Sequence, residues 1–283
     1  MSALDAWLGR SESRQDQIDS SHARRWLATL DRAAPDDGTL PQGFHWCLGL
    51  PDAPTAILGA DGHPLRDDGP DSFLPPLPHL PRRMWASSKV EFVAPLRLGQ
   101  TIERRSSVAK IEAKSGGSGE LVFVTVEHQT LADGALAVRE EQSLVYRAAA
   151  ASDAPLAPPP PGAGRFDPAD WHAHCAMQPS EALLFRFSAL TFNSHRIHYD
   201  LPYARDVERY RGLVVHGPLT ATLLLDLARR ELGDNALARF AFRGLSPAIC
   251  GEELNLALRR VEGGYELGAF ASDGRQVASA TAA

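Results

Sequence analysis

Residues 190–219, LTFNSHRIHYDLPYARDVERYRGLVVHGPL, gather three of the chain's ten histidines, His195, His198 and His216, beside Asn193 and Asp200. Imidazole has an ordinary pKa close to neutrality, so it can accept and return a proton at working pH. His195 and His198 are three apart and share one face if the segment is a helical turn. Gly217-Pro218 then opens the apolar run LTATLLLDLARREL. Pro218 suits the first helical position, where its missing N–H costs nothing. The free N–H groups of such a helix start favour a developing negative charge. A proton-transferring histidine beside an anion-stabilising helix end points to chemistry next to a carbonyl. Taken singly, each histidine also fits a satisfied polar group, and His-Gly-Pro fits an ordinary cap. Their clustering with Asn193 favours a site.

The elements that must position this cluster fall into two halves. Residues 149–168, AAASDAPLAPPPPGAGRFDP, are rich in Ala, Pro and Gly, and Pro158–Pro161 favour an extended spacer. The expected domains are therefore 1–148 and 169–283. Each half repeats one device at a constant offset. Phe92 precedes Pro95, Gly99 and Ile102, and Phe242 precedes Pro247, Gly251 and Leu254. The proline ends one strand and the glycine permits the turn into the next. Strand patterns follow at Thr101–Ala113, Glu120–Leu131 and Ala135–Arg147, then at residues 254–259, Tyr265–Ala271 and Arg275–Thr281. Hairpin signals include Asp133-Gly134, Gly263-Gly264 and Asp273-Gly274. The second half supplies a central helix near Pro218–Leu232, with Leu219, Leu223, Leu224 and Leu227 on its apolar side. In the first half the helical signal lies earlier, near Asp16–Ala34, and Pro41–Arg83 is full of proline and glycine. Long antiparallel strands around a helix, given twice, make an α+β architecture.

Composition narrows the function classes. The 283 residues are 44% hydrophobic and 23% charged, as in an ordinary globular protein. No apolar stretch is long enough to span a bilayer, and the acidic residues near the N-terminus argue against a leader peptide. Cys47, Cys175 and Cys250 are too few and too scattered for a disulfide framework, so a cytoplasmic location is expected. A net charge of −6 gives no general reason to bind nucleic acid. Arginine is preferred over lysine throughout, a bias that fits either genome composition or anion clamps. His172, His174 and Cys175 match zinc spacings poorly.

The paired meanders and the segment around His198 resemble the MaoC-like hydratases, whose motif reads G-D-x-N-P-x-H. Phe192 stands in the glycine position, Asn193 in that of the aspartate, His195 in that of the asparagine, Arg196 in that of the proline, and His198 falls on the catalytic histidine. The sequence FNSHRIHYD followed by VVHGP resembles the hydroxyacyl-thioester dehydratase type 2 branch. FLPPLPHLPRRMWA, ELVFVTV and EEQSLVYR extend the likeness over nearly the whole chain. The resemblance implies a double hotdog fold, two antiparallel sheets each wrapped around a helix, with a degenerate first half serving as a wall. It implies hydration of an enoyl-CoA by His198, aided by Asn193 and by His195, with Gly217 and His216 at the thioester oxygen. A short dicarboxylic substrate such as mesaconyl-CoA would call for a cation, and Arg82, Arg83 and Arg196 are the candidates. A CoA thioester and a homodimeric partner are expected, with no cofactor, metal, nucleic acid or membrane. Asn193 is the departure, because an amide can orient water but cannot ionise. That departure keeps a non-catalytic acyl-CoA-binding subunit in play, beside a general (R)-specific enoyl-thioester hydratase. A thioesterase would want a carboxylate near the thioester, and Asp226 lies two turns into the helix.

Overall fold

The computed structural model describes residues 3–35, 37–66, 69, 72–116 and 119–283; Met1 and Ser2, part of the stretch read for a leader, lie outside them. Ten strands pair antiparallel in one continuous sheet. The first half provides β1 (Ser11–Gln17), β2 (Arg82–Phe92), β3 (Thr101–Gly116), β4 (Gly119–Ala132) and β5 (Ala135–Arg147). The second provides β6 (Ala173–Met177), β7 (Arg239–Gly244), β8 (Leu254–Val261), β9 (Gly264–Ala271) and β10 (Gln276–Ala282). Their order is β1-β3-β4-β5-β2-β7-β10-β9-β8-β6, so the second half mirrors the first about the β2–β7 seam. Five residues of each strand meet there, from Ser87 opposite Arg243 to Glu91 opposite Arg239. The expected pair of sheets is thus one sheet. Strand edges left bare would recruit other chains, and joining the halves edge to edge removes two of them.

The repeated proline-glycine device lies between β2 and β3 and again between β7 and β8. Gly99 and Gly251 both turn through left-handed backbone, with φ of 86° and 79°. A side chain is disfavoured in that conformation, which explains glycine at both positions. Ile102 and Leu254, at the start of the following strands, are buried. Along β4, Val122, Val124 and Val126 are buried while Leu121, Phe123 and Thr125 are half-buried. The two faces of that strand are therefore covered unequally.

Three helices pack on the sheet: α1 (Ser20–Thr29), α2 (Glu181–Leu190) and α3 (Gly217–Leu232). Every residue from Leu219 to Ala228 of α3 is buried. A helix apolar on one side only would not allow this, and α3 has the sheet on one side and other segments against the rest, with Gly43 beside Leu225 and Arg32 bonded to Asp226. Trp26 of α1 packs edge-on against Phe44 at 5.7 Å and against Phe187 of α2 at 6.1 Å. One core consequently runs through both halves. Helix α1 starts later than the sequence pattern suggests. Asp16 and Gln17 belong to β1, paired with Ile102 and Thr101, and Asp19 caps the helix by accepting from the N–H groups of Ser21 and His22. In the first half a 3-10 turn, Phe44–Cys47, occurs where no long helix forms.

The proline-rich stretch before β2 lies on the sheet, where Leu77 and Leu80 are buried with Val108, Val122, Val124, Val126 and Tyr146. The spacer after β5 is also docked. Phe166 stacks on Phe270 at 4.8 Å, and the Gly162 N–H donates to Asp273. Among the described residues, no helix is long and apolar enough to cross a membrane.

Candidate active site

A cleft of about 1740 Å³ runs between the halves. Its walls include Asn193, His195, His198 and Gly217 from the second half, and His63, Arg82, Arg83 and Trp85 from the first. The loop after α2 carries the chemistry. Ser180 caps α2 by accepting from the Leu183 N–H, and the helix ends at Leu190. Phe192, in the family's glycine position, turns through left-handed backbone with φ 47° and leaves its ring exposed. The side-chain oxygen of Asn193 then accepts from the His195 N–H at 3.0 Å, closing the turn that presents His195 and His198.

His198 sits in a 3-10 turn, Arg196–His198, and is buried. Its Nδ1 lies 2.7 Å from the Val214 carbonyl oxygen. A carbonyl only accepts, so Nδ1 carries the proton and Nε2 is left with a bare lone pair. Burial, with an added push from His63, lowers its pKa to about 4, against the hydrogen bond to Val214. At neutral pH the ring is an uncharged base.

Around it runs a row of four imidazoles. His198 stacks on His216 at 3.6 Å, meets His195 edge-on at 5.5 Å, and His195 in turn lies 4.3 Å from His63. Burial holds every member below its ordinary pKa, and the neighbouring imidazoles add to the effect at His195, His198 and His216. His216 caps the start of α3, where its ring bonds Ser188 at 2.8 Å. It is 1% exposed and does not line the cleft. Its side chain therefore backs His198 and cannot reach a thioester oxygen, contrary to the expectation for that residue. Gly217 does line the cleft, and at the first turn of α3 its N–H has no intrahelical partner.

The three arginines divide in the same way. Arg82 is buried against Glu208 in an ion pair through Nε, with its Nη2 donating to the Glu208 carbonyl at 3.1 Å. Arg196 forks onto Asp200 at 2.7 and 3.0 Å, covers the Tyr203 ring and does not line the cleft. Neither guanidinium is free to take a substrate carboxylate, a correction to the sequence reading. Arg83 lines the cleft, has no ion-pair partner among the described residues, and lowers the pKa of both His63 and His195 by its charge.

Two site residues escaped the sequence reading. Asp61 and His63 stand on a tight turn of the first half, clasped to the motif loop. Arg196 N–H donates to the Asp61 carbonyl at 2.9 Å, Ser194 Oγ to the Gly62 carbonyl at 2.6 Å, and Arg196 Nη1 to the Ala60 carbonyl at 2.8 Å. The available signal was Asp61-Gly62, the same turn dipeptide as Asp133-Gly134 and Asp273-Gly274, followed by a histidine. Asp61, His63 and His195 bring ligand-type atoms within 4.8 Å of one another. Both Asp61 oxygens already accept from His63, at 2.9 and 3.0 Å, so the cluster is satisfied as a hydrogen-bonded pair. His172 and His174 are bonded separately, to the Arg260 N–H and to Asn255, and do not converge on a metal site. Asp226 is held by Arg32 at 2.5 and 2.7 Å and does not line the cleft, so the helix carboxylate weighed for a thioesterase is not offered to it.

The chain is similar to known proteins in sequence and in fold. A family model for hydroxyacyl-thioester dehydratase type 2 covers residues 43–250. The chain is 42% identical to "Mesaconyl-C(4)-CoA hydratase" of Chloroflexus aurantiacus, over 99% of this chain and 98% of that protein. It is 29% identical to the mitochondrial hydroxyacyl-thioester dehydratase type 2 of Schizosaccharomyces pombe, over 78% of each. Among solved structures, a MaoC-like dehydratase from Phytophthora capsici superposes with a TM-score of 0.72 at 13% identity, over 99% of this chain and 98% of that one. HtdX of Mycobacterium tuberculosis gives 0.67 at 15%, over 96% and 99%. A further Mycobacterium tuberculosis protein, described as a double hotdog fold, gives 0.57 at 17%, over 97% and 95%. The fold is the double hotdog.

Proposed function

Since this chain belongs to the hydroxyacyl-thioester dehydratase type 2 family, we propose that it adds water across the C2–C3 double bond of a short dicarboxylic enoyl-CoA, converting mesaconyl-CoA (3-methylfumaryl-CoA) to citramalyl-CoA. The observation that carries the reading is His198, its Nδ1 fixed by Val214 and its Nε2 bare, in a cleft shared with the start of α3. Drug-sized ligands occupy pockets of roughly 300–1,000 Å³. The larger cleft here suits an acyl group with its CoA carrier.

His198 Nε2 takes a proton from water as the water oxygen bonds to C3. The π electrons move toward the thioester, where the Gly217 N–H at the positive end of α3 meets the charge on the carbonyl oxygen. The imidazolium then returns the proton to C2, so the cycle consumes none. In this substrate the second carboxylate is bonded to C3, the carbon under attack. Its cation must therefore stand beside the histidines, as Arg83 does. Asn193 closes the loop that aims His195 and His198 and offers an amide N–H to the water. In this reading residues 169–283 carry the base, 149–168 join the halves, and 1–148 form the opposing wall.

The test is hydration of a thioester panel by the purified protein, monitored as loss of enoyl absorbance. Mesaconyl-CoA is expected to turn over far faster than crotonyl-CoA or a long-chain enoyl-CoA. His198→Ala should lose about 10²–10⁴-fold in kcat while keeping its fold. A preference for unbranched monocarboxylic chains would instead mark a general (R)-specific hydratase. No turnover of any member would mark an acyl-CoA-binding subunit.

A further inference from the structure

Among the described residues, the carboxylate bonded to the histidine row, Asp61, comes from the other half of the chain. The wider MaoC-like motif carries an aspartate where this chain has Asn193, and the Asn193 side-chain oxygen is occupied by the His195 N–H. Across the cleft, Asp61 holds His63 through Nδ1 at 2.9 Å and through its backbone N–H at 3.0 Å. That hydrogen bond fixes the tautomer, leaving His63 Nε2 as a second bare acceptor. The ring stands 4.3 Å from His195, which meets His198 at 5.5 Å. The turn bearing the pair is built against residues 194–196. Its backbone accepts three hydrogen bonds from them, and a Cβ on Gly62 would overlap the Ser194 carbonyl oxygen. So close a fit places His63 on the reacting side of the cleft, which it lines.

We propose that Asp61–His63 is the second unit of the proton machinery and performs, from the first half of the chain, the task of the carboxylate missing at residue 193. His63 Nε2 accepts one O–H of the reacting water while His198 Nε2 accepts the other, which turns an oxygen lone pair toward C3. As the C3–O bond forms, the O–H bond to His198 breaks and its proton rests on His198. Asp61 balances that positive charge in a pocket where burial opposes it. The proton then passes to C2, and His63 keeps its own proton on Nδ1 throughout. Asp61 and His63 are thus positioning residues, acting through the water and through His198.

The assignment rests on the hydratase reading, and the experiment separates the two. Asp61→Asn keeps a hydrogen-bonding side chain and removes the charge, and His63→Gln removes the ring. Each should lower kcat on mesaconyl-CoA by about 10²-fold with little change in KM. The double variant should be nearly as active as the worse single one, because the pair acts as a unit. The decisive arm adds Asn193→Asp to Asp61→Asn. An aspartate oxygen can still accept from the His195 N–H, so the loop keeps its closure while a carboxylate returns. At least about tenfold of the lost kcat should be recovered. Thermal unfolding of each variant identifies any that fail to fold. A wild-type protein inactive on the whole panel defeats the hydratase reading and this assignment with it. An active wild type whose folded variants stay within about threefold of it defeats this assignment alone, as does a loss that Asn193→Asp leaves unrelieved.

Discussion

An imidazole serves as a base when one nitrogen is held and the other is bare, and this cleft supplies that state twice, at His198 and at His63. The means differ: a backbone carbonyl holds one ring and a carboxylate the other. His198 stood out in the sequence because it lies in a histidine cluster whose motif resembles that of the MaoC-like hydratases, with its motif neighbours within a few residues. His63 was not, because its partners at residues 194–196 are far along the chain and only folding unites them. The arginines teach the same lesson, for a guanidinium is a clamp only if nothing else has claimed it. Arg83→Ala should raise KM for mesaconyl-CoA by roughly tenfold or more, as expected for losing a charge-assisted hydrogen bond worth about 1.5–3 kcal/mol, and should leave KM for crotonyl-CoA nearly unchanged. Arg82→Ala should act on stability instead. It strands a buried Glu208 carboxylate, a change that typically costs about 3–5 kcal/mol, read as a lower Tm. An equal KM effect on both substrates would remove Arg83 from carboxylate recognition.

Among the elements, those with strong hydrophobic rhythm were readable and those held by their neighbours were not. The pattern placed α3 and six of the strands within a few residues of their observed limits. Strand β1, SESRQDQ, has no apolar residue to announce it and exists because it pairs with β3 along its length. Strand β6 is a short edge whose residues alternate between half-buried and exposed, with none fully buried. Helix α2 did carry a readable signal, Ser180 before a run of helix formers. The turn through Asp61-Gly62 is the element on which the proposed Asp61–His63 pair depends. Gly62 has φ 87° and lies against the Ser194 carbonyl. Gly62→Ala therefore meets both a steric overlap and an unfavourable backbone, the latter alone worth about 1–2 kcal/mol. The turn should lift from the motif loop, with a fall in kcat close to that of His63→Gln and only a small change in Tm. Unchanged turnover in that variant would show that the two segments need not touch.

On the scale of the whole molecule, the buried imidazoles make the fold sensitive to acid. His63, His128 and His198 have pKa values pulled down to about 4, 3 and 4, chiefly by burial. The unfolded chain binds protons at these positions below about pH 6.5, whereas the folded chain does not. Their contribution to stability is complete above pH 6.5 and falls as the pH drops toward 4. Each can remove up to about 1.4 kcal/mol per pH unit across that window. Asp61 and Glu140, held below the usual carboxylate range by their histidine partners against the opposing effect of burial, add a further loss only in stronger acid. Melting curves at pH 7, 6 and 5 should show a steep decline, and a flat Tm would contradict this account. The mirrored strand order has another consequence. Two identical chains joined at the same seam would own two identical catalytic loops, each obliged to serve also as the other's wall. In the proposed reading the two roles sit on different stretches of one polypeptide, and the symmetry ends at the cleft. Titration with a non-hydratable thioester should therefore reach equivalence at one ligand per chain, with no second class of sites and no cooperativity within it.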